Sequence, residues 1–177
     1  MKDLLGKLLI DWRIKKVLPY IEGKLLDIGC GTNQLVGKYG NGVGVDVHQW
    51  GSVDLILKNT ACLPFNNNSF DTITIIAALN HIPNRKKVLK EVHRILRPDG
   101  KIVITMIHPL ISKVWHFLRK PWDADQQERK MKKGEVFGLT KNEIEKMFQE
   151  TNFKVIKIKK FMFFINNIII GRKINNS

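Results

Sequence analysis

Cysteine is nearly missing from this chain: Cys30 and Cys62 are the only two in 177 residues, and neither has a His or Cys partner at metal-ligand spacing. A disulfide framework is thereby excluded, and no metal site is expected. Long apolar runs are missing too. The strongest, residues 161–170, is interrupted by Asn166 and Asn167 and falls short of the roughly 20 residues that span a bilayer. The opening MKDLLGKLLIDW carries acids and has no small-residue cleavage site, so it does not read as a signal peptide. Repeats and low-complexity linkers are absent. A cytoplasmic protein is expected, folded as a single domain over 1–177, a length within the roughly 100–200 residues of one domain.

Acidic residues are scarce against basic ones. Sixteen Asp+Glu face 30 Lys+Arg, giving a net charge of +14. Such an excess attracts anions in general. The cations are spread along the chain, however, with 15 before residue 108 and 15 after it. A nucleic-acid binder more often gathers them on one face.

What is present alternates short apolar strands with helices. Leu4, Leu5, Leu8, Leu9 and Trp12 recur at helical spacing, predicting an amphipathic helix within 3–20. Strands are predicted at 24–28, 42–46, 53–57, 70–76 and 101–107, the last two nearly continuous in apolar and β-branched residues. Pro83-Asn84 opens a helix whose stripe is Val88, Leu89, Val92, Ile95 and Leu96, and Pro98-Asp99-Gly100 breaks it. Thr140 and Glu143 form a capping box at the start of another helix. From Phe153 the chain alternates Ile with Lys and turns at Asn166-Asn167, predicting an antiparallel hairpin. The pattern implies an α/β fold: a Rossmann-like, doubly wound, mostly parallel sheet closed by a C-terminal antiparallel hairpin. Ligands of such sheets sit at the carboxyl ends of the strands.

The chemistry is read at those ends. Gly29 and Gly31 follow the first strand, and Asp46 ends the second, near the offset at which a carboxylate accepts from two ribose hydroxyls. A dinucleotide loop wants a third glycine, where this chain has Gln34. Asp27 beside the loop would repel a pyrophosphate. The same carboxylate attracts the sulfonium and ammonium of S-adenosylmethionine, so the sign of Asp27 selects that cofactor over NAD.

The segments LLDIGCGT (25–32), GVGVD (42–46), LPFNNNSFD (63–71) and LNHIPNRKKVLKEVHRILRPDGKIVIT (79–105) together resemble the class I S-adenosylmethionine-dependent methyltransferases of the methyltransferase type 11 family, which includes ubiquinone/menaquinone-type enzymes. The resemblance covers most of 24–107. It implies that Asp27, Gly29 and Gly31 line the methionine portion of the cofactor, that Asp46 holds the ribose and that Val47 lies against the adenine. Asn59 stands where the family usually has an Asp facing the adenine amino group. The backbone of Thr60 or Ala61 would meet an adenine ring nitrogen, and Ala77 would end the fourth strand beside the cofactor. Two departures stand out. Asn33 replaces the usual glycine after Thr32, a position that needs a residue tolerant of positive φ, and Asp99 replaces the first glycine of a PGG turn.

Other conspicuous residues have plainer readings. Asp71 reads as a structural carboxylate at a strand start, Cys30 as a small, inward-packed loop residue, and His93 as a surface residue. His81 and His108 follow the fourth and fifth strands and are the candidate catalytic bases. The core is expected over 22–107 and 140–174. The N-terminal helix and the connection 108–139, with Trp115, Phe117 and Trp122, are expected to form the acceptor side, the connection as a lid. The leading function is methyl transfer by in-line displacement to a small-molecule or lipid-like acceptor. An RNA methyltransferase is the less favoured alternative, since the chain lacks an Asn-Pro-Pro-Tyr-type signature and an appended RNA-binding module. A catalytically silent cofactor-binding domain is the third.

Overall fold

The computed structural model describes residues 4–113 and 133–175. Trp115, Phe117 and Trp122 lie outside them. Seven strands form one sheet in the order β3-β2-β1-β4-β5-β7-β6. They are β1 (Leu25–Ile28), β2 (Gly42–Asp46), β3 (Leu55–Ile56), β4 (Phe70–Ile76), β5 (Leu96–Ile107), β6 (Phe153–Phe161) and β7 (Asn166–Lys173). The pairings β1–β2, β1–β4, β2–β3 and β4–β5 are parallel, and β7 runs antiparallel to both β5 and β6. The doubly wound sheet with its antiparallel hairpin is therefore as the sequence implied. The order reverses beside β1: the chain winds outward through β2 and β3, then returns to β4 on the other side. That switch opens the crevice in which open α/β sheets take their ligands.

Helices cover both faces. The apolar stripe of α3 (Arg85–Ile95), namely Val88, Leu89, Val92 and Ile95, packs on one face with Ile144, Met147 and Phe148 of α4 (Lys141–Glu150). Ile14 and Val17 of α1 (Leu4–Val17) and Leu35 and Val36 of α2 (Gln34–Tyr39) cover the other. All four residues of β1 are buried, as a central parallel strand requires. The buried hydroxyls of β4 and β5 are satisfied: Thr72 donates to the Glu22 carbonyl at 2.8 Å, and Thr105 accepts from the Ala77 N–H at 3.0 Å. The Thr140–Glu143 capping box forms, with Glu143 Oε2 accepting from the Thr140 N–H at 2.7 Å and Thr140 Oγ1 from the Glu143 N–H at 3.2 Å.

Several local expectations need correction. The α1 helix is not amphipathic in the predicted sense. Ile14 and Val17 carry its buried side, while Leu8 and Ile10 are exposed, because apolar residues surround the helix. The hairpin turn lies at 162–165, not at Asn166-Asn167. Met162, Phe163 and Phe164 all take positive φ, and Asn166 is already paired with Phe161 in the ladder. β3 shrinks to two residues. β5 begins at Leu96, directly after α3, and carries Pro98-Asp99-Gly100 as an irregularity, with Asp99 at φ 61°. His93 is not merely a surface residue. Its Nε2 lies 3.0 Å from the Ile174 carbonyl oxygen and its ring packs edge-on against Phe153, fastening the C-terminal strand. Asp71 is the structural carboxylate expected: it accepts from the Lys24 N–H at 2.7 Å and from Arg97 Nη1 at 2.8 Å.

Candidate functional site

The strand ends of β1, β2 and β4 open onto a cavity of about 720 Å³. Asp27, Gly29, Gly31, Asp46, Val47, Asn59, Thr60, Ala61, Ala77 and His81 all line it. Two further walls come from outside the motif segments: Gly6, Leu9, Ile10, Arg13 and Ile14 of α1, and Glu135. His108 is not in the lining. It sits just past β5, its Nδ1 accepting the Leu110 N–H at 3.4 Å.

The bend after β1 is built by glycines with different duties. Gly29 has φ 73°, and a Cβ there would stand 2.5 Å from the Ala78 Cβ, so this glycine lets two chain segments touch. Gly31 has φ 54°, and a Cβ there would meet no protein atom within 4 Å. Its bare face is a cradle open to the cavity. Asn33 adopts the left-handed conformation that its position demands, at φ 59°. Its amide donates to the Ser52 carbonyl at 2.8 Å and to Asp54 Oδ2 at 2.9 Å. Asp54 Oδ2 also accepts from the Gly44 N–H at 2.7 Å, so the glycine-to-asparagine departure is braced.

Asp46 is aimed by the backbone. Oδ2 accepts from the Gly31 N–H at 3.0 Å, and Oδ1 from the N–H groups of Val47 at 2.7 Å and His48 at 3.1 Å. Three of the roughly four lone-pair sites of the carboxylate are thus taken, which leaves Oδ2 a free direction from which to accept from a hydroxyl. Asp27 is buried and accepts from Thr74 Oγ1 at 2.6 Å. Burial, with a smaller push from Asp46, raises its pKa to about 7 against the lowering effect of the Thr74 hydroxyl. Cys30 is likewise pushed up, to about 12, by burial and by the charges of Asp27, Asp46 and Asp54, so it is an inert thiol. Asn59 Oδ1 accepts from the Ala61 N–H at 2.9 Å, which fixes the 59–61 loop and occupies one of the backbone donors expected to face a base. Ala77, at φ 53°, is held by the Thr105 carbonyl and hydroxyl oxygens at 3.1 and 3.0 Å.

Two charged groups in the lining escaped sequence reasoning. Arg13 is half-buried, its Nε is shielded from solvent and has no hydrogen-bond partner, and desolvation lowers its pKa to about 10. A guanidinium N–H that is out of reach of water and unpaired is costly until an anion meets it. Glu135, buried, lies 3.4 Å from His81 Nδ1 through Oε2. Its segment is tied to the turn after β4. Val136 N–H donates to the Asn80 carbonyl at 3.0 Å and Asn80 Nδ2 returns to the Val136 carbonyl at 3.2 Å. Arg85 Nη2 donates to the carbonyls of Asn80 and Gly134, both at 2.9 Å. Nothing local marks either residue: Arg13 is one cation among thirty, and Glu135 follows a run of lysines.

Comparison with known proteins agrees with this architecture. The methyltransferase-domain family model of type 11 matches residues 26–104. An uncharacterised Methanocaldococcus jannaschii protein is 29% identical over 157 residues, covering 85% of this chain and 73% of its own. A demethylmenaquinone methyltransferase of a Geobacillus species is 26% identical over 207 residues, covering 93% and 86%. Among solved structures, a chain of the complex between the Haloferax volcanii Trm112 methyltransferase activator and a methyltransferase superposes with TM-score 0.72 at 15% identity, covering 97% of this chain and 93% of that one. A Pyrococcus horikoshii protein superposes with TM-score 0.71 at 21% identity over the same shares.

Proposed function

We propose that this chain, a class I S-adenosylmethionine-dependent methyltransferase of the type 11 family, methylates a small-molecule or lipid-like acceptor whose reacting atom gives up a proton. The cofactor, when bound, supplies an electrophilic methyl group on a sulfonium, ready for in-line displacement. The residues present fit it. Asp27 offers a buried acid to cationic groups, Asp46 accepts from ribose hydroxyls, and the open face of Gly31 leaves room for close approach. The unpaired Nε of Arg13 calls for an anion, which the methionyl carboxylate provides. Val47 would flank the adenine, with Asn59, Thr60 and Ala61 along its edge and Ala77 beside the methionyl chain.

The observation that carries the acceptor reading is the His81–Glu135 pair in the wall of this same cavity. A carboxylate beside Nδ1 favours the proton there, which leaves Nε2 as the basic nitrogen of the neutral ring. That is the arrangement of a general base for a hydroxyl or an acidic carbon. Orientation of the two reactants by the cavity supplies the rest, an effect worth roughly 7–11 kcal/mol when alignment is good. His108, outside the lining, has no part in this reading. We read the whole chain as one methyltransferase domain, in which α1 and the 108–139 connection shape the acceptor side. The positions of Gly6, Leu9, Ile10 and Glu135 in the cavity wall support that division.

Relatives described as demethylmenaquinone methyltransferases suggest the probe. The protein is incubated with methyl-labelled S-adenosylmethionine and either demethylmenaquinol or bulk RNA. Label is expected in the organic extract, and His81→Gln is expected to lower it roughly 100-fold, the usual scale of a lost general base. Label in the RNA alone would replace this reading with the nucleic-acid one.

A further inference from the structure

At the tip of the β6–β7 hairpin, Phe163 and Phe164 are 82% and 77% exposed, although they are among the largest apolar side chains in the chain. They do not stand alone. The Phe163 ring meets Trp12 edge-on at 5.6 Å, and Leu8, one helical turn before Trp12 and so on the same side of α1, is 57% exposed. Exposed Lys157, Lys159 and Lys160 lead along β6 into the turn, with Lys157 over the Tyr20 ring at 5.0 Å. Phe163 has the Trp12 contact, but Phe164, 77% exposed at the same turn, buries little surface for the fold, and a polar residue would serve there. Aromatic rings ringed by lysines match the interface of an anionic bilayer, where rings sink to the headgroup level and ammonium groups meet phosphates. A second copy of the chain fits less well. Four side chains fall far short of the roughly 1,000 Å² that a stable interface buries, and like-charged lysines would face each other. Among the described residues no helix is long and apolar enough to cross a membrane, so attachment would be peripheral.

We propose that the Phe163–Phe164 tip, with Leu8, Trp12 and the β6 lysines, docks the protein on a negatively charged membrane surface. The placement has a consequence for the site. Trp12 and Leu8 belong to the helix whose Leu9, Ile10 and Arg13 line the cavity, so docking would bring the α1 wall to the lipid. The use of that position to take up an acceptor rests on the lipid-like reading above. Docking itself needs no acceptor, so the two can fail separately.

The test is flotation of the full chain with vesicles of phosphatidylcholine and phosphatidylglycerol in equal parts, against phosphatidylcholine alone. Binding is expected to the first, weakening as salt rises. The double variant Phe163→Ser, Phe164→Ser is expected to bind at least about tenfold more weakly, and each of Lys157→Gln, Lys159→Gln and Lys160→Gln about fivefold more weakly at low salt. S-adenosylhomocysteine binding by calorimetry reports whether each variant is folded. Should the double variant misfold through loss of the Trp12 contact, Phe164→Ser alone is expected to weaken flotation. Wild-type protein that does not float, or a folded double variant that floats unchanged, would overturn the proposal. So would a wild-type dimer in sedimentation equilibrium that the double variant lacks, since the tip would then be a contact between copies.

Discussion

Asp46 and Glu135 line one cavity, yet they are aimed by different means. Asp46 is set by three amides within the β1 and β2 loops, the farthest only 15 residues away. Glu135 meets His81 across 54 residues and is held there by the Asn80–Val136 pair and by Arg85. The half proposed to face the cofactor is thus assembled from short-range backbone geometry, which a motif can encode. The half proposed to face the acceptor is assembled from side chains that distant segments bring together.

The largest expected effect breaks the backbone-built half. At Gly29→Ala, the new Cβ would overlap Ala78 and force a side chain onto φ 73°. Overpacking and strain together predict a loss of roughly 2–4 kcal/mol in urea unfolding. Gly31→Ala meets no neighbour, so a similar loss there would show that the two glycines do not differ as described. Next, Asp46→Ala removes the acceptor of three backbone N–H groups and the proposed acceptor of the ribose hydroxyls. It is expected to weaken S-adenosylmethionine binding by about 1–3 kcal/mol in titration calorimetry. Wild-type affinity in that variant would remove the ribose assignment.

Legibility in the sequence follows the same division. The strand positions, the left-handed Asn33, the structural Asp71 and the grouping of Asp27, Gly29, Gly31 and Asp46 depend on turn geometry and period, which a linear pattern carries. Arg13 was invisible because burial, not identity, gives it meaning, and burial depends on how α1 seats on the sheet. The α1 pattern itself misled: apolar residues lie all around the helix, so spacing could not say which side packs. The hairpin turn was misplaced because Asn166 and Asn167 look like turn formers, whereas the ladder begins at Asn166 and three bulky residues make the bend.

Arg13 tests whether the α1 wall shares in holding the cofactor. Arg13→Met keeps the aliphatic packing and removes the cation. It is expected to cost roughly tenfold in affinity for S-adenosylhomocysteine, about 1.4 kcal/mol, and nothing for 5′-methylthioadenosine, which lacks the carboxylate. An equal loss for both ligands would place the role of Arg13 in packing and leave the cofactor to the motif half alone.

The smallest effect concerns the charge of Asp27. Its pKa of about 7 in the folded protein lies above the ordinary carboxyl value of 3.8, so the fold favours the protonated form. The stability linked to this group is complete below about pH 4 and is lost as pH rises through 7 in the ligand-free protein. A cationic ligand has the opposite preference, since it binds the carboxylate. Affinity for S-adenosylmethionine is therefore expected to rise about tenfold between pH 6 and pH 8 as the proton is given up. Asp27→Asn is expected to abolish that slope, to bind more weakly at pH 8 and to unfold at higher urea there. A slope that survives in Asp27→Asn would assign the titration to another group in the cavity and leave Asp27 a structural partner of Thr74, which would take the electrostatic part out of the comparison and leave only the glycines and Asp46 on the cofactor side.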